Sequence, residues 1–474
     1  MDSDAFCGRL MRLSCRANAE GAAGRDNVRF MLEPYRRALE LPGAWQFSSA
    51  GFVARLPIAM IGLGIVILIS DRTGSYAAAG ILGACFQLPA ALGAVATSRW
   101  IDRVGQHRLL PWLTIAHALL LVVFVVSVES GAAFIVQAMV IALAGLSQPA
   151  IGSMVRARWA NIAPDAARLR GAFALESVID ELIFSIGPPI TALIAFQIGL
   201  PFPIIVAAVI AAIGGVSLSL QRRTEPLPHA PHDPAQGRGR RSALLQPGLA
   251  LVPLVAIGIG AVFGSFEVAV VAFTRASGDE AVSGLILGVW AFASMIGGIW
   301  FGARTWRLSL GRQMLVLPAL LAASLLVAPL MGTTLTLTIA TAIGGLAAAP
   351  ALIAAFSLTE RLVPARQLTE GLTWTNSGLA IGFSLGTALA GFLVDGHGPA
   401  WGFWLAVGGA SFAALVGAAG QRTFSRHAVP HDEPDAPPVA AAWNADPLPG
   451  PRPGGILGHP QPESAAPESP ATGS

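Results

Sequence analysis

The sequence predicts an all-α membrane protein, with twelve transmembrane helices arranged in two pseudo-symmetric six-helix bundles. Three observations predict it. Of 474 residues, 54% are apolar and only 12% charged, roughly half the charge fraction of a soluble globular chain. Twelve windows each hold about 20 mostly apolar residues, the length that crosses a bilayer. Short patterns also recur at corresponding points of the first and second six windows.

In chain order, helices 1 to 6 are predicted near 48–70, 76–98, 109–127, 132–154, 172–196 and 200–220. Helices 7 to 12 follow near 248–273, 281–303, 313–331, 334–357, 371–394 and 400–419. The first six make a bundle over 47–220 and the second six a bundle over 248–420. Between them, "QRRTEPLPHAPHDPAQGRGRRS" opens a cytoplasmic linker over 221–247, polar and without apolar period. Residues 1–46 form a cytoplasmic N-terminal segment whose first 30 residues lack an apolar core long enough for a signal peptide. They read either as a tail or as a start assigned upstream of Met31. Residues 421–474 are expected to be a disordered Pro-rich cytoplasmic tail, too polar to bury a core.

The arginines orient the chain. Loops after helices 2, 4, 6, 8 and 10 hold Arg99, Arg103, Arg156, Arg158, Arg222, Arg304 and others, whereas the opposite loops hold only Arg72 and Arg275. The positive-inside rule then places both termini in the cytoplasm, and lysine-free, alanine-rich usage associates the chain with a bacterial cytoplasmic membrane.

Composition also excludes functions. The three cysteines (Cys7, Cys15 and Cys85) give neither a disulfide framework nor a metal pattern. The arginines are spread rather than clustered, which argues against nucleic-acid binding. No phosphate-binding G-x-x-x-x-G-K-[ST] loop occurs, and the polar segments are too short to fold a catalytic domain. An enzyme is not expected, nor a cofactor; energy must come from an ion gradient or the substrate's own.

An internal repeat relates the halves. "PDAARLRGAFALES" at 164–177 and "PARQLTEGLTWTNS" at 364–377 share Pro, Gly and polar positions at an offset of 200. "SRWIDRVGQHRLLPWL" after helix 2 has a degraded counterpart, "ARTWRLSLGRQMLVLP", after helix 8. Repeats six helices apart imply bundles related by an axis along the membrane normal, with a substrate site between them near the midplane.

Twelve spans, a long central linker and these loops resemble the major facilitator superfamily, and the resemblance covers about 45–420. Its most specific piece is "SRWIDRVGQHR", similar to the family's G-x-L-A-D-R-x-G-R-K loop between helices 2 and 3. Asp102, Arg103, Gly105 and Arg108 match in type and place; Ser98, Gln106 and His107 depart from it. The resemblance implies a loop that latches the two halves at the cytoplasmic face, with Asp102 favoured at the positive N-terminal end of helix 11, near Glu370 and Gly371. The alternative is a solvated turn. Helix 5 carries "SIGPP", in which Gly187 and Pro188 match the Gly-Pro core of the antiporter signature without its other glycines. Gln137 in helix 4 stands near where many drug–proton antiporters carry an arginine, and the sugar-porter signature after helix 6 is absent. The chain is most similar to poorly characterised bacterial exporter-type members.

Ionisable residues inside spans are costly and point to function. At 1.5 Å per residue, Glu176 lies roughly 8 Å and Asp180 roughly 14 Å into helix 5, and Arg55 roughly 12 Å into helix 1. Glu176 and Asp180 share one face while Glu181 points about 100° away, as a hydrogen-bonding partner for a neighbouring helix. Arg55 either snorkels to the headgroups, makes a structural ion pair with Asp180 or Glu176, or makes a pair that opens with proton or substrate binding. Glu267 in helix 7 binds a cation or reaches the outer interface. His117 reads as a structural histidine, Asn376 occupies the position equivalent to Glu176, and Trp374 lines the cavity or packs. Arg55, Glu176, Asp180 and Glu267 are thus the candidate coupling residues.

These readings lead to a secondary active transporter working by alternating access: proton-coupled export of small, largely apolar or cationic molecules by a monomer. The alternatives are uptake or uniport of a small metabolite and, in another class, a transporter-like sensor or scaffold.

Overall fold

The computed structural model describes residues 36–226, 245–302, 304, 306–364 and 367–427. The expectations for residues 1–30, for most of the central linker and for the Pro-rich tail beyond His427 fall outside these residues.

Among the described residues there is no strand, and twelve helical spans are long and apolar enough to cross a bilayer. Helices 1 to 6 run Ala44–Thr73, Tyr76–Ile101, Gln106–Glu129, Phe134–Ile162, Arg168–Gln197 and Phe202–Leu220. Helices 7 to 12 run Leu251–Ala276, Glu280–Gly302, Leu310–Leu330, Thr334–Leu362, Glu370–His397 and Pro399–Phe424. The predicted all-α membrane fold is the one observed. Several ends lie beyond the windows, two of them for the same reason: arginines lower the hydropathy of a turn without ending the helix. Helix 4 continues to Ile162, so Arg156 and Arg158 are helical residues rather than loop residues. Helix 2 continues to Val104, through the motif that follows it.

Three spans each consist of two α-helical segments, and proline marks each of these breaks. Helix 1 consists of Ala44–Arg55 and Ile58–Thr73, with Pro57 between. Helix 4 consists of Phe134–Leu146 and Ile151–Ile162, with Pro149 in the gap. Helix 10 stops at Gly345 and restarts at Ala348, with Pro350 in its new first turn. Proline lacks the amide hydrogen a helix interior needs, but it is tolerated in a first turn.

Antiparallel alternation puts the ends of even-numbered helices on one face, with the central linker; this is the linker face, and the other is the far face. Each half has its own apolar core: Met60, Leu82, Phe124 and Ile204 in the first, and Val255, Met314, Leu358 and Ala413 in the second. A third core crosses between the halves, joining Leu63, Val66 and Ile67 of helix 1 to Phe266, Val270 and Phe403.

Besides this core, the backbones of the two halves approach each other along two seams. Helices 2 and 11 meet so closely that a methyl on Gly80 would overlap the Thr387 carbonyl, and one on Gly391 the Tyr76 carbonyl. Helices 5 and 8 meet where a methyl on Gly284 would overlap the Pro188 carbonyl. Gly288 faces the Ser185 carbonyl and the Pro189 ring in the same way. All of these positions lie in the far-face parts of their helices. The closest approaches between the halves are therefore gathered at the far face.

Candidate functional site

The charged residues of the first half converge. Arg55 ends the first segment of helix 1, just before the Pro57 break, and is 2% exposed. Its Nε donates to the Gly51 carbonyl at 3.0 Å, its Nη1 to Asp180 Oδ1 at 2.6 Å, and its Nη2 to Glu176 Oε2. One guanidinium thus bridges both carboxylates of the acidic face, a geometry suited to its rigid fork of donors. Snorkelling is excluded for Arg55 by this burial and these partners.

The two acids differ. Glu176 is wholly buried and also accepts from Ser48 Oγ at 2.7 Å and from Trp159 Nε1 at 2.8 Å. Three donors from helices 1 and 4 make it a fixed cross-brace. Asp180 keeps 33% of its side chain exposed and is shared by Arg55 and by Arg156, whose Nη2 donates to Oδ2 at 2.6 Å. Arg156 is itself 39% exposed. In the sequence Arg156 has the look of a topology signal; what marks it is its place just past the apolar stretch of helix 4, at a height matching Asp180. Ser48 and Trp159 gave no charge signal at all.

Glu181 has no side-chain hydrogen bond or ion pair among the described residues, so the expected bond to a neighbouring helix is not made. It lies one helical turn before Ser185, whose carbonyl faces Gly288 of helix 8. Glu181 therefore sits half-buried on the face of helix 5 that looks toward the second half, just on the linker-face side of the seam.

Glu267 also faces the seam. It lies roughly 24 Å along helix 7 from Leu251, and its carboxylate packs against helix 1, with Oε1 3.1 Å from where a methyl on Gly62 would stand. Oε1 is inaccessible and has no hydrogen-bond partner. The reading of Glu267 as a residue reaching the outer interface is replaced by a carboxylate aimed between the halves.

The motif loop is partly placed. Gly105 has φ +98°, a conformation glycine adopts without strain, and turns the chain from helix 2 into helix 3. Arg103 and Arg108 are exposed; the side chain of Asp102 lies outside the description. His107, which departs from the motif, pairs with Glu225 of the linker through Nδ1 at 2.9 Å. Arg158, fully buried, donates to Gln106 Oε1 and to the Leu218 and Gln221 carbonyls, tying helix 4 to the end of helix 6. Gly187 lets helix 5 approach Ala59 of helix 1, and Pro188 belongs to the seam with helix 8. His117 is buried, its Nδ1 2.7 Å from the Ala144 carbonyl, a structural link between helices 3 and 4. Gln137 lies one turn from the far-face start of helix 4 and donates to the Ala132 carbonyl. Asn376 donates to the Leu372 carbonyl of its own helix, and Trp374 is 40% exposed. No cluster of metal-ligating side chains occurs among the described residues.

Two six-helix bundles that meet most closely at the far face, with ionisable residues buried within the spans, make the architecture of a membrane transporter. Residues 47–334 match the family model of the Major Facilitator Superfamily, and the chain belongs to that superfamily. Among solved structures it is similar to the nucleoside transporter NupG, at 13% identity and a TM-score of 0.61, covering 80% of this chain and 98% of that one. It is also similar to a bacterial homologue of the human lysosomal transporter Spinster, inward-facing and unoccupied, at 16% identity and a TM-score of 0.59, over 84% of this chain and 99% of that one. A bacterial homologue of the iron transporter ferroportin, inward-facing, gives 17% identity and a TM-score of 0.57, over 80% and 99%. At such identities these neighbours share the fold alone. No curated protein matches the chain.

Proposed function

We propose that this transporter exports small, largely apolar or cationic molecules in exchange for protons, with the linker face and both termini in the bacterial cytoplasm and the monomer as the working unit. The observation that carries the reading is Glu267. A charged carboxylate enclosed without a partner costs several kcal/mol, and a proton or a substrate cation removes that cost. Its place between Gly62 of one half and helix 7 of the other makes the occupant of that carboxylate sensitive to how the halves sit. Glu181, on the opposite wall and also without a partner, supplies a second acid just on the linker-face side of the seam. Asp180 is the third candidate: it is reachable, and protonation there would release Arg55 and Arg156 from it. The apolar cleft supplies area, and the sparse acids supply orientation, as small-molecule sites do.

A second reading, uptake of a small anionic metabolite, is favoured by one observation: the half-exposed guanidinium of Arg156, which could exchange Asp180 for a substrate carboxylate. Reconstituted vesicles with an imposed pH gradient separate the two. Cationic dyes, neutral apolar compounds and small carboxylates are offered in parallel. Gradient-driven movement of cations or neutral compounds, lost in Glu267→Gln with binding retained, supports export. Movement of carboxylates alone, or flux indifferent to pH, overturns it.

A further inference from the structure

The far-face seam is locked by a carboxylate from one half seated on the helix end of the other. Asp395, near the end of helix 11, accepts three hydrogen bonds from the start of helix 2. Oδ1 takes the Tyr76 amide at 2.8 Å; Oδ2 takes the Ala77 amide at 2.9 Å and the Ser75 hydroxyl at 2.7 Å. The first amides of a helix have no partner within it and carry the positive end of the dipole, so an anion there is doubly favoured. Ser75 already caps helix 2 through the Ala78 amide; Asp395 satisfies the two amides that Ser75 leaves. The cap of a helix in the first half is thereby completed by the second half.

The same helix pair supplies the rest of the seam. Gly80 and Gly391 bring the backbones together, and Thr387 donates to the Gly80 carbonyl at 3.4 Å. Beside it, Arg275 at the end of helix 7 reaches Asp71 at the end of helix 1, 3.2 Å away, and Glu280 at 3.5 Å. Asp71 and Arg275 are each about one-third exposed, and a pair that open to solvent adds little by itself. Asp395 is exposed as well; it differs in geometry, because its two oxygens together receive three hydrogen bonds from one helix start.

We propose that Asp395 is the residue that holds the far-face gate shut, so that breaking its cap on helix 2 is a required step in reaching the state open to the far face. Helices 2 and 11 are antiparallel. Asp102 stands near the end of helix 2 as Asp395 stands near the end of helix 11. The motif resemblance seats Asp102 on the start of helix 11 when the linker face closes. The two acids then form a reciprocal pair, one cap forming as the other breaks. The proposal rests on alternating access and not on substrate or coupling ion, so it is tested without either.

The full chain, with Cys7, Cys15 and Cys85 replaced by alanine, is placed in nanodiscs, where both faces meet a soluble maleimide. One reporter is Thr387→Cys, buried in the far-face seam. The other is Asn376→Cys, exposed three turns nearer the linker face on the same side of helix 11. Asp395→Ala is expected to raise labelling at 387 and lower it at 376, each by about fivefold, since charge-assisted hydrogen bonds at a solvent-exposed site shift equilibria by about that much. Asp395→Asn, which keeps an acceptor oxygen without the charge, should shift both in the same directions by less. Ser75→Ala should do so least. Opposite movement of the two reporters is what a gate requires. A rise at both positions means that Asp395 merely holds the fold together, and no change at either means that the cap is decorative; each result overturns the proposal.

Discussion

The two halves of this transporter descend from one pattern, yet they hold their central helices by different physics. Helix 4 joins helix 5 through Trp159 and Glu176; helix 10 joins helix 11 through the hydroxyls of Thr359, 200 residues after Trp159, and Thr375, one residue before the counterpart of Glu176, 2.8 Å apart. The first joint belongs to a network of two arginines and two carboxylates. The second is neutral, and Asn376, standing where Glu176 would, bonds only within its own helix. Glycine shows the converse. Methyls on Gly378, Gly382 and Gly386 of helix 11 would each overlap or crowd backbone of helix 7. The equivalent residues Val178 and Leu182 of helix 5 are large and 39% and 43% exposed. Helix 11 thus packs on helix 7 backbone to backbone, while helix 5 is braced on helices 1 and 4 by charge; elsewhere glycine packing is as close in the first half, as where Gly145 meets the Phe86 carbonyl. Charge lets a brace respond to a proton; a glycine seam responds to nothing but shape.

The brace is the most vulnerable point. Arg55→Ala would leave Glu176 buried without its cation, and truncating one partner of a buried pair costs about 3–5 kcal/mol. Unfolding followed in detergent should show the loss. Arg55→Met combined with Glu176→Leu should recover most of it, because no charge is left stranded. If the single and double variants are equally damaged, the network acts through shape and the contrast between the halves weakens. Next comes the glycine seam. Gly382→Leu is expected to cost about 1–3 kcal/mol by overpacking, while the counterpart Leu182→Ala should be nearly silent in the same melt. Similar losses at both would mean that helix 5 packs as tightly as helix 11.

The neutral joint should be cheaper to break than the charged one. Thr359→Val removes a single hydroxyl pair, worth about 0.5–1.5 kcal/mol, against the several expected at Arg55. The smallest effect on stability belongs to Asp180→Asn. Its side chain is one-third exposed, and such pairs contribute about 1 kcal/mol or less. Its effect should appear in transport, as a loss of pH-driven accumulation while substrate still binds. Unchanged accumulation would assign coupling to Glu267 or Glu181 instead, and leave Asp180 as the outer arm of the brace.

How much of this was legible beforehand follows from what each residue advertises. Glu176, Asp180 and Arg55 stood out because charge in an apolar window is conspicuous, and their depths along the helices brought them to one level. Arg156 carries the same charge but lies just past the apolar window of helix 4, where arginine is expected on topological grounds alone, so its bond to Asp180 is not legible there. Trp159 and Ser48 are ordinary residues for such helices. Asp395 lies past the apolar stretch of helix 11, where an acid looks like the start of a loop; its meaning depends on a helix start some 320 positions earlier in the chain.

The sequence by itself determined the number of spans, the two-bundle architecture, the repeat and the acidic face of helix 5. These depend on hydropathy over about 20 residues and on helical periodicity, both local properties. Only the tertiary structure decided that Arg55 serves two acids at once and that Glu267 looks into the border rather than outward. It also decided at which face the halves meet most closely. Each of these is a relation between helices far apart in the chain. A hydrophobic pattern says which residues enter the membrane, and the packing of one helix on another says what they meet there.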